Sequence, residues 1–159
     1  MKDKPDVRVP LLDRLWDVNP WAKAEFVPLR SYSLDEYRNS VIRDLGFLLN
    51  TRSPVTADEF DKDTLTVLEY GIPDFAHYSP ENEDDRKLIA RRIEHAIKNF
   101  EPRLRHPYVS VESEMLDEKV LTVKISAELV AEKSHYSVTI LSRRQIYSGK
   151  WEVYETTWR

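Results

Sequence analysis

The residues with chemistry to offer in this chain are 28 Asp and Glu, 4 His and one acid–proline–base triplet, Glu101-Pro102-Arg103. Paired carboxylates hydrolyse glycosidic bonds when an acid that keeps its proton faces a second carboxylate about 5–9.5 Å away across a cleft. An arginine beside the candidate acid works against that, because a neighbouring cation favours loss of the proton. The histidines His77, His95, His106 and His135 form no i, i+4 pair and no H-E-x-x-H spacing. They read as surface or packing residues, not metal ligands. Cysteine is absent, which removes thiolate nucleophiles and disulfides and fits a reducing compartment. With 3 glycines there is no phosphate loop, and no G-x-S-x-G motif occurs. The inventory predicts no catalytic residue, no cofactor and no metal.

The triplet admits three readings: a helix-to-strand junction, a docking point, or a catalytic corner. Pro102 pushes Glu101 out of helical geometry and fixes a sharp exit after Phe100. In the extended stretch that follows, Glu101 and Arg103 project to the same side. There they bond each other or clamp a partner's backbone and charged groups.

The elements that position the triplet follow from periodicity. Ser33 and Glu36 make a capping box. Leu34, Tyr37, Val41, Leu45 and Leu48, with Ile42 and Leu49, then recur at helical spacing until Asn50. A short second helix is expected in "FDKDTLTVLEYG", capped by Asp61 or Asp63, with Leu65, Leu68 and Val67 inward and Gly71 and Pro73 ending it. A third runs from Glu83 to Phe100, its acids Glu83, Asp84 and Asp85 at the positive end of the helix dipole. Leu88, Ile89, Ile93, Ala96, Ile97 and Phe100 form its buried face. After the triplet the period falls to two. "PYVSVESEM" alternates through Val109, Val111 and Met115, and "KVLTVKISAEL" through Leu121, Val123, Ile125, Ala127 and Leu129, with Asp117-Glu118 as a tight connection. "HYSVTIL" and "IYSGKWEVYETTW" supply a third and a fourth strand. Helices followed by strands predict an α+β fold: about three N-terminal helices packed on a C-terminal, mainly antiparallel sheet of about four strands.

Residues 1–30 hold four of the 9 prolines and read as an N-terminal arm, leaving 31–159 as the domain. Within the arm, "LLDRLWD" places Leu11, Leu12, Leu15 and Trp16 on one side of a short turn. It packs on its own domain, or it docks in a partner's groove with Trp16 and Trp21 at its tip.

A chain of 159 residues with 41% hydrophobic content is long enough for one proper core. The formal net charge of −4 gives no general attraction to nucleic acid or an acidic membrane. The bases of "RKLIARR" and "RLRH" lie among acids, so no uncompensated basic stripe is available to track phosphates. The start "MKDKPDVRVP" has no apolar core of a signal peptide, and no apolar run approaches the ~18 residues of a membrane span. A soluble cytoplasmic protein is expected, with no nucleic acid and no direct membrane insertion.

Four segments in order, "LLDRLWD", "LLNTRSP", "VLEYGIPDF" and "IKNFEPRL", resemble the TssE family of type VI secretion baseplate subunits. That family lies within the baseplate wedge proteins of contractile phage tails, also called lysozyme-like. The resemblance spans roughly residues 11–157, and Glu101, Pro102 and Arg103 match the family's best-marked triplet. It implies a structural baseplate component seated on a core of TssF and TssG, with TssK in the same wedge and the triplet as the contact. It also implies a fold similar to the C-terminal part of a sheath subunit. A sheet edge is then offered to the sheath subunits TssB and TssC for strand exchange. The lysozyme-like label leaves a peptidoglycan-cleaving hydrolase as the alternative.

The last strand meets that implication. "GKWEVYETTW" puts Trp151 and Val153 on one face and Glu152, Tyr154 and Thr156 on the other. Edge strands normally carry lysines, prolines or bulges that block pairing, and after Lys150 this one has none before Arg159. It is paired internally, or it is an edge kept open for β-augmentation. The expected partner-binding residues are thus Glu101, Pro102, Arg103, Leu12, Leu15, Trp16, Trp151, Val153 and Tyr154.

Overall fold

The computed structural model describes residues 7–15, 21, 31–62, 64–112, 120–145 and 147–158. Helix α2 (Leu34–Asn50) starts where its capping box stands: the Ser33 hydroxyl accepts from the Glu36 N–H at 3.3 Å, and the Glu36 carboxylate accepts from the Ser33 N–H at 2.8 Å. Its buried stripe is Tyr37, Val41, Leu45, Leu48 and Leu49, the 3.6-residue pattern of an amphipathic helix. Helix α4 (Glu83–Phe100) starts at the Asn82 cap and buries Ile89, Ile93, Ala96 and Ile97.

The expected second helix is corrected. Helix α3 (Ala57–Phe60) forms earlier, capped by Thr56, and a separate 3-10 turn spans Val67–Glu69. Thr66 starts that turn afresh: its hydroxyl accepts from the Leu68 N–H at 3.2 Å, and Glu69 accepts from the Thr66 N–H at 2.6 Å. The new start rotates Val67 and Leu68 outward, where both are exposed, while Leu65 packs against the core. Asp61 caps no N-terminus; it closes α3, its N–H bonding the Ala57 carbonyl. Asp63 lies outside the described residues.

Strands β3 (Leu104–Glu112), β4 (Val120–Ala131), β5 (Ser134–Gln145) and β6 (Trp151–Trp158) form one antiparallel meander in the order β3-β4-β5-β6. One face buries Leu104, Val109, Leu121, Val123, Ile125, Leu129, Val138, Ile140 and Trp151 beneath the helices. Helix α4 lies against β3 and α2 against β6. The other face carries Tyr108, Lys124, Arg143 and Tyr154. The result is two layers with a single core, the α+β arrangement expected of helices followed by strands. The expected Asp117-Glu118 connection and Met115 lie outside the described residues.

Near the start, β1 (Val7–Arg8) pairs with β2 (Ser31–Tyr32), Val7 opposite Tyr32, and Val7 joins the core. The turn α1 (Leu11–Leu15) follows. No helix among the described residues is long and apolar enough to cross a membrane.

Candidate docking site

Helix α4 ends at Glu101, whose N–H still bonds the Ile97 carbonyl at 2.9 Å although its own backbone is no longer helical (φ −125°, ψ 75°). Pro102 makes the exit, Leu104 N–H returns to the Glu101 carbonyl at 3.1 Å, and the Val130 N–H of β4 takes the Arg103 carbonyl at 2.9 Å. The corner is thus locked by its main chain on both sides. Glu101 and Arg103 share a side and bond each other. Arg103 Nε donates to Glu101 Oε1 at 2.6 Å and Nη2 to Oε2 at 2.5 Å, the fork-on-carboxylate geometry that is strongest for such pairs.

Arg103 does more than close the corner. Nη2 also donates to Asp44 Oδ2 at 2.6 Å and Nη1 to Ser40 Oγ at 3.0 Å, both on α2. The Ser40 hydroxyl in turn donates to the Tyr37 carbonyl, and the guanidinium lies over the Tyr37 ring, 5.8 Å from its centroid. Asp44 Oδ1 accepts twice from Arg43 at 2.9 Å, and Arg43 reaches Asp13 of α1 at 2.7 Å. Five charges of alternating sign, Glu101, Arg103, Asp44, Arg43 and Asp13, therefore tie the α4–β3 corner to α2 and to the N-terminal turn. Burial works against the Arg103 cation, but its bonds to Glu101 and then to Asp44 outweigh that and hold it above the ordinary arginine value. The Tyr32 hydroxyl is pushed up, first by burial and then by Asp13.

Placement sorts the expected residues. Glu101 is 4% exposed and Arg103's side chain 17%, so the pair faces the protein's own interior and Pro102 is the part of the triplet that solvent sees. Both Glu101 oxygens are occupied by Arg103, which leaves neither free to protonate a leaving group. Trp151 is buried under α2, Val153 is half-buried on the same face, and Tyr154 is exposed on the other, its hydroxyl donating to Glu152. Leu15 is 73% exposed and Leu11 72%, while Asp13 of the same turn is buried against Arg43. The α1 turn thus anchors by its acid and turns leucines outward. Trp16 and the side chain of Leu12 lie outside the described residues.

The sheet order leaves β3 and β6 as its margins. Along β3 the register jumps between Arg105 and Tyr108, His106 takes a left-handed φ of 49°, and Pro107 lacks an N–H. A bulge with a proline is a common way to blunt an edge. The expectation that the last strand has no bulge is corrected: against β5 its register jumps between Thr139 and Ile140, leaving Thr156 unopposed, and at its start β6 carries a different device. The Asn50 side chain at the end of α2 accepts from Trp151 N–H at 3.0 Å and donates to Trp151 C=O at 2.9 Å, as a neighbouring strand's peptide would. Outward-pointing backbone groups alternate along an antiparallel strand, so Val153, opposite Ser142, presents the next outward pair. Among the described residues no strand takes it.

Asp44, Arg43, Asp13 and Ser40 are not marked by the sequence reading, which gives Asn50 only as the end of α2. One signal was present: Ser40 and Asp44 are polar residues at stripe spacing, between Tyr37, Val41 and Leu45, where a buried helix face calls for partners.

A sequence profile of the family described as "Baseplate wedge protein gp25" matches residues 35–134. Among solved structures, a chain of "The baseplate complex from the type VI secretion system" shares the fold with a TM-score of 0.52 and 15% identity, over 70% of this chain and 95% of that one. No curated protein matches the chain.

Proposed function

Since the chain belongs to the baseplate wedge protein gp25 family, we propose that it is a cytoplasmic, non-enzymatic component of a type VI secretion baseplate wedge that seats on the wedge core and starts the contractile sheath. The observation that carries the second half is the contrast between the two sheet margins. β3 is blunted at its start by a bulge with Pro107, whereas β6 has no proline in its length, its own bulge lies further on at Thr156, and among the described residues no strand pairs with its outer side from Val153. A strand supplied by the sheath subunits TssB and TssC adds there by backbone hydrogen bonds, with Val153 and Tyr154 giving side-chain selectivity. Seating on TssF, TssG and TssK uses the surface around Pro102 and the outward leucines of α1. Glu101 and Arg103 act as positioning residues for that surface, since their charges are spent inside the fold.

Two single variants separate the two contacts. Val153→Pro removes the first outward N–H of β6 that Asn50 leaves open, and Pro102→Glu puts a charge on the exposed point of the corner. In co-expression with the five partners, Val153→Pro is expected to keep wedge recovery and lose the sheath subunits. Pro102→Glu is expected to lose the wedge at unchanged melting temperature. Sheath recovery by Val153→Pro at wild-type yield would remove the edge role.

A further inference from the structure

Parts of two segments that carried the family resemblance have no role in the corner or the edge: the loop after α2, Thr51 to Ser53, and the stretch Gly71 to Phe75. The fold brings them together. Ser53 N–H bonds the Ile72 carbonyl and Ile72 N–H the Thr51 carbonyl, both at 2.9 Å, with Gly71 at φ +122° allowing the close approach. With the β5–β6 turn they wall a cleft of about 270 Å³ whose apolar floor is Leu49, Ile72, Phe75 and Trp151.

Arg144 lines this cleft. It sits on the core-facing parity of β5, after Val138, Ile140 and Ser142, opposite Trp151. Among the described residues its side chain has no hydrogen bond and no ion pair. Burial pulls it below the ordinary arginine value, with Asp74 opposing. Asp74 is already engaged: its Oδ2 takes Arg52 at 2.7 Å and its Oδ1 takes the Ala76 N–H at 3.0 Å. Two guanidinium groups therefore feel one carboxylate, which Arg52 holds, and among the described residues the half-buried Arg144 side chain lacks an acceptor. An unpaired cation away from bulk water is costly, and a carboxylate is the group whose two oxygens fit the guanidinium fork.

We propose that this cleft binds an aspartate or glutamate side chain of the polypeptide that pairs along β6, its carboxylate on Arg144 and its stem against Trp151 and Phe75. This rests on the edge reading above. The occupant is a strand because the cleft opens at the start of β6. Asn50 already fills the backbone site of Trp151, so a strand that begins pairing at Val153 runs out over the cleft.

The test uses the full chain, labelled with nitrogen-15, and two blocked peptides of alternating valine and threonine. One has glutamate at both ends and the other glutamine. The glutamate peptide is expected to bind about tenfold tighter and to move the Arg144 Nε–H signal. Arg144→Gln is expected to erase that preference while keeping or raising the melting temperature, and Val153→Pro to abolish binding of both peptides. Equal binding of the two peptides overturns the cleft assignment and leaves the edge reading standing. Binding of neither overturns both. A clear drop in the melting temperature of Arg144→Gln makes the residue structural support, and a response of the Arg144 signal to acetate alone, without peptide preference, makes the cleft a free-anion site; either result overturns the proposal.

Discussion

At the scale of single residues, the decisive feature is the Arg103 guanidinium, which serves Glu101, Asp44 and Ser40 at once. Breaking a buried ion pair by removing one partner costs more than the pair contributes, because the remaining charge keeps its desolvation and loses its compensation. Arg103→Met is therefore expected to lose about 3–5 kcal/mol in urea denaturation. Adding Glu101→Gln should recover part of that loss; no recovery would mean that Glu101 is not the stranded charge. A second pair gives a pH signature. Arg92, 5% exposed on α4, donates Nε and Nη2 to the two oxygens of Asp61 at 3.0 and 2.9 Å. Those bonds, opposed by burial and aided by the Arg92 charge, hold the Asp61 carboxyl below its usual value. A depressed folded value means that the unfolded chain takes the proton first as pH falls. The contribution is full above the unfolded value of about 4 and is lost as pH falls through the folded one. Asp61→Asn is expected to flatten that part of an acid titration of stability, and an unchanged acid limb would contradict it.

At the scale of elements, the loop pairing that walls the cleft depends on a single glycine. A Cβ at Gly71 would stand 2.5 Å from the Thr51 carbonyl oxygen and 2.8 Å from Ser53 N, both backbone atoms that cannot swing away. Its φ of +122° is also unfavourable for any L side chain. Gly71→Ala is expected to cost roughly 1–3 kcal/mol and to speed amide exchange at Ser53 and Ile72. Protection at both sites equal to wild type would show that the bridge is dispensable. The same local logic explains why the stretch 60–71 breaks. Thr56 with Glu59 and Thr66 with Glu69 are two capping boxes, and two starts cannot lie inside one helix.

At the scale of the whole molecule, two helices cover one face of a four-stranded sheet, and the alternating charges from Glu101 to Asp13 run across the helical layer to the N-terminal turn. Among the described residues that turn is also held by the two-residue ladder of β1 with β2, the buried side chains of Val7 and Val9, and the bond from Arg14 Nε to the Val9 carbonyl. Asp13→Asn should loosen it, seen as faster amide exchange at Val7 and Arg8 with α4 unchanged. Equal exchange rates would mean that the ladder and the buried valines fasten the segment without Asp13. Coupling of this kind places the outward leucines of α1 and the Pro102 corner on one rigid frame, which suits a part that seats against a larger assembly.

What the sequence by itself determined is what depends on neighbours in the chain. Ser33 with Glu36, the stripe from Tyr37 to Leu49, the span Glu83–Phe100 and the alternation through Leu121, Val123 and Ile125 are fixed by local hydrogen bonding and by the 3.6- and 2-residue periods. The likeness of four ordered segments to the wedge proteins was legible for the same reason, being carried by adjacent residues. Tertiary structure alone decided where the charges of the triplet go, since Asp44 and Ser40 lie 59 and 63 residues from Arg103. It also decided that Asn50 fills the backbone site of Trp151, 101 residues away, and that Arg144 lines a cleft with no acceptor for its side chain among the described residues. Periodicity gives a side chain its face but not the atom it meets, because the partner of a buried polar group is chosen by how distant elements pack.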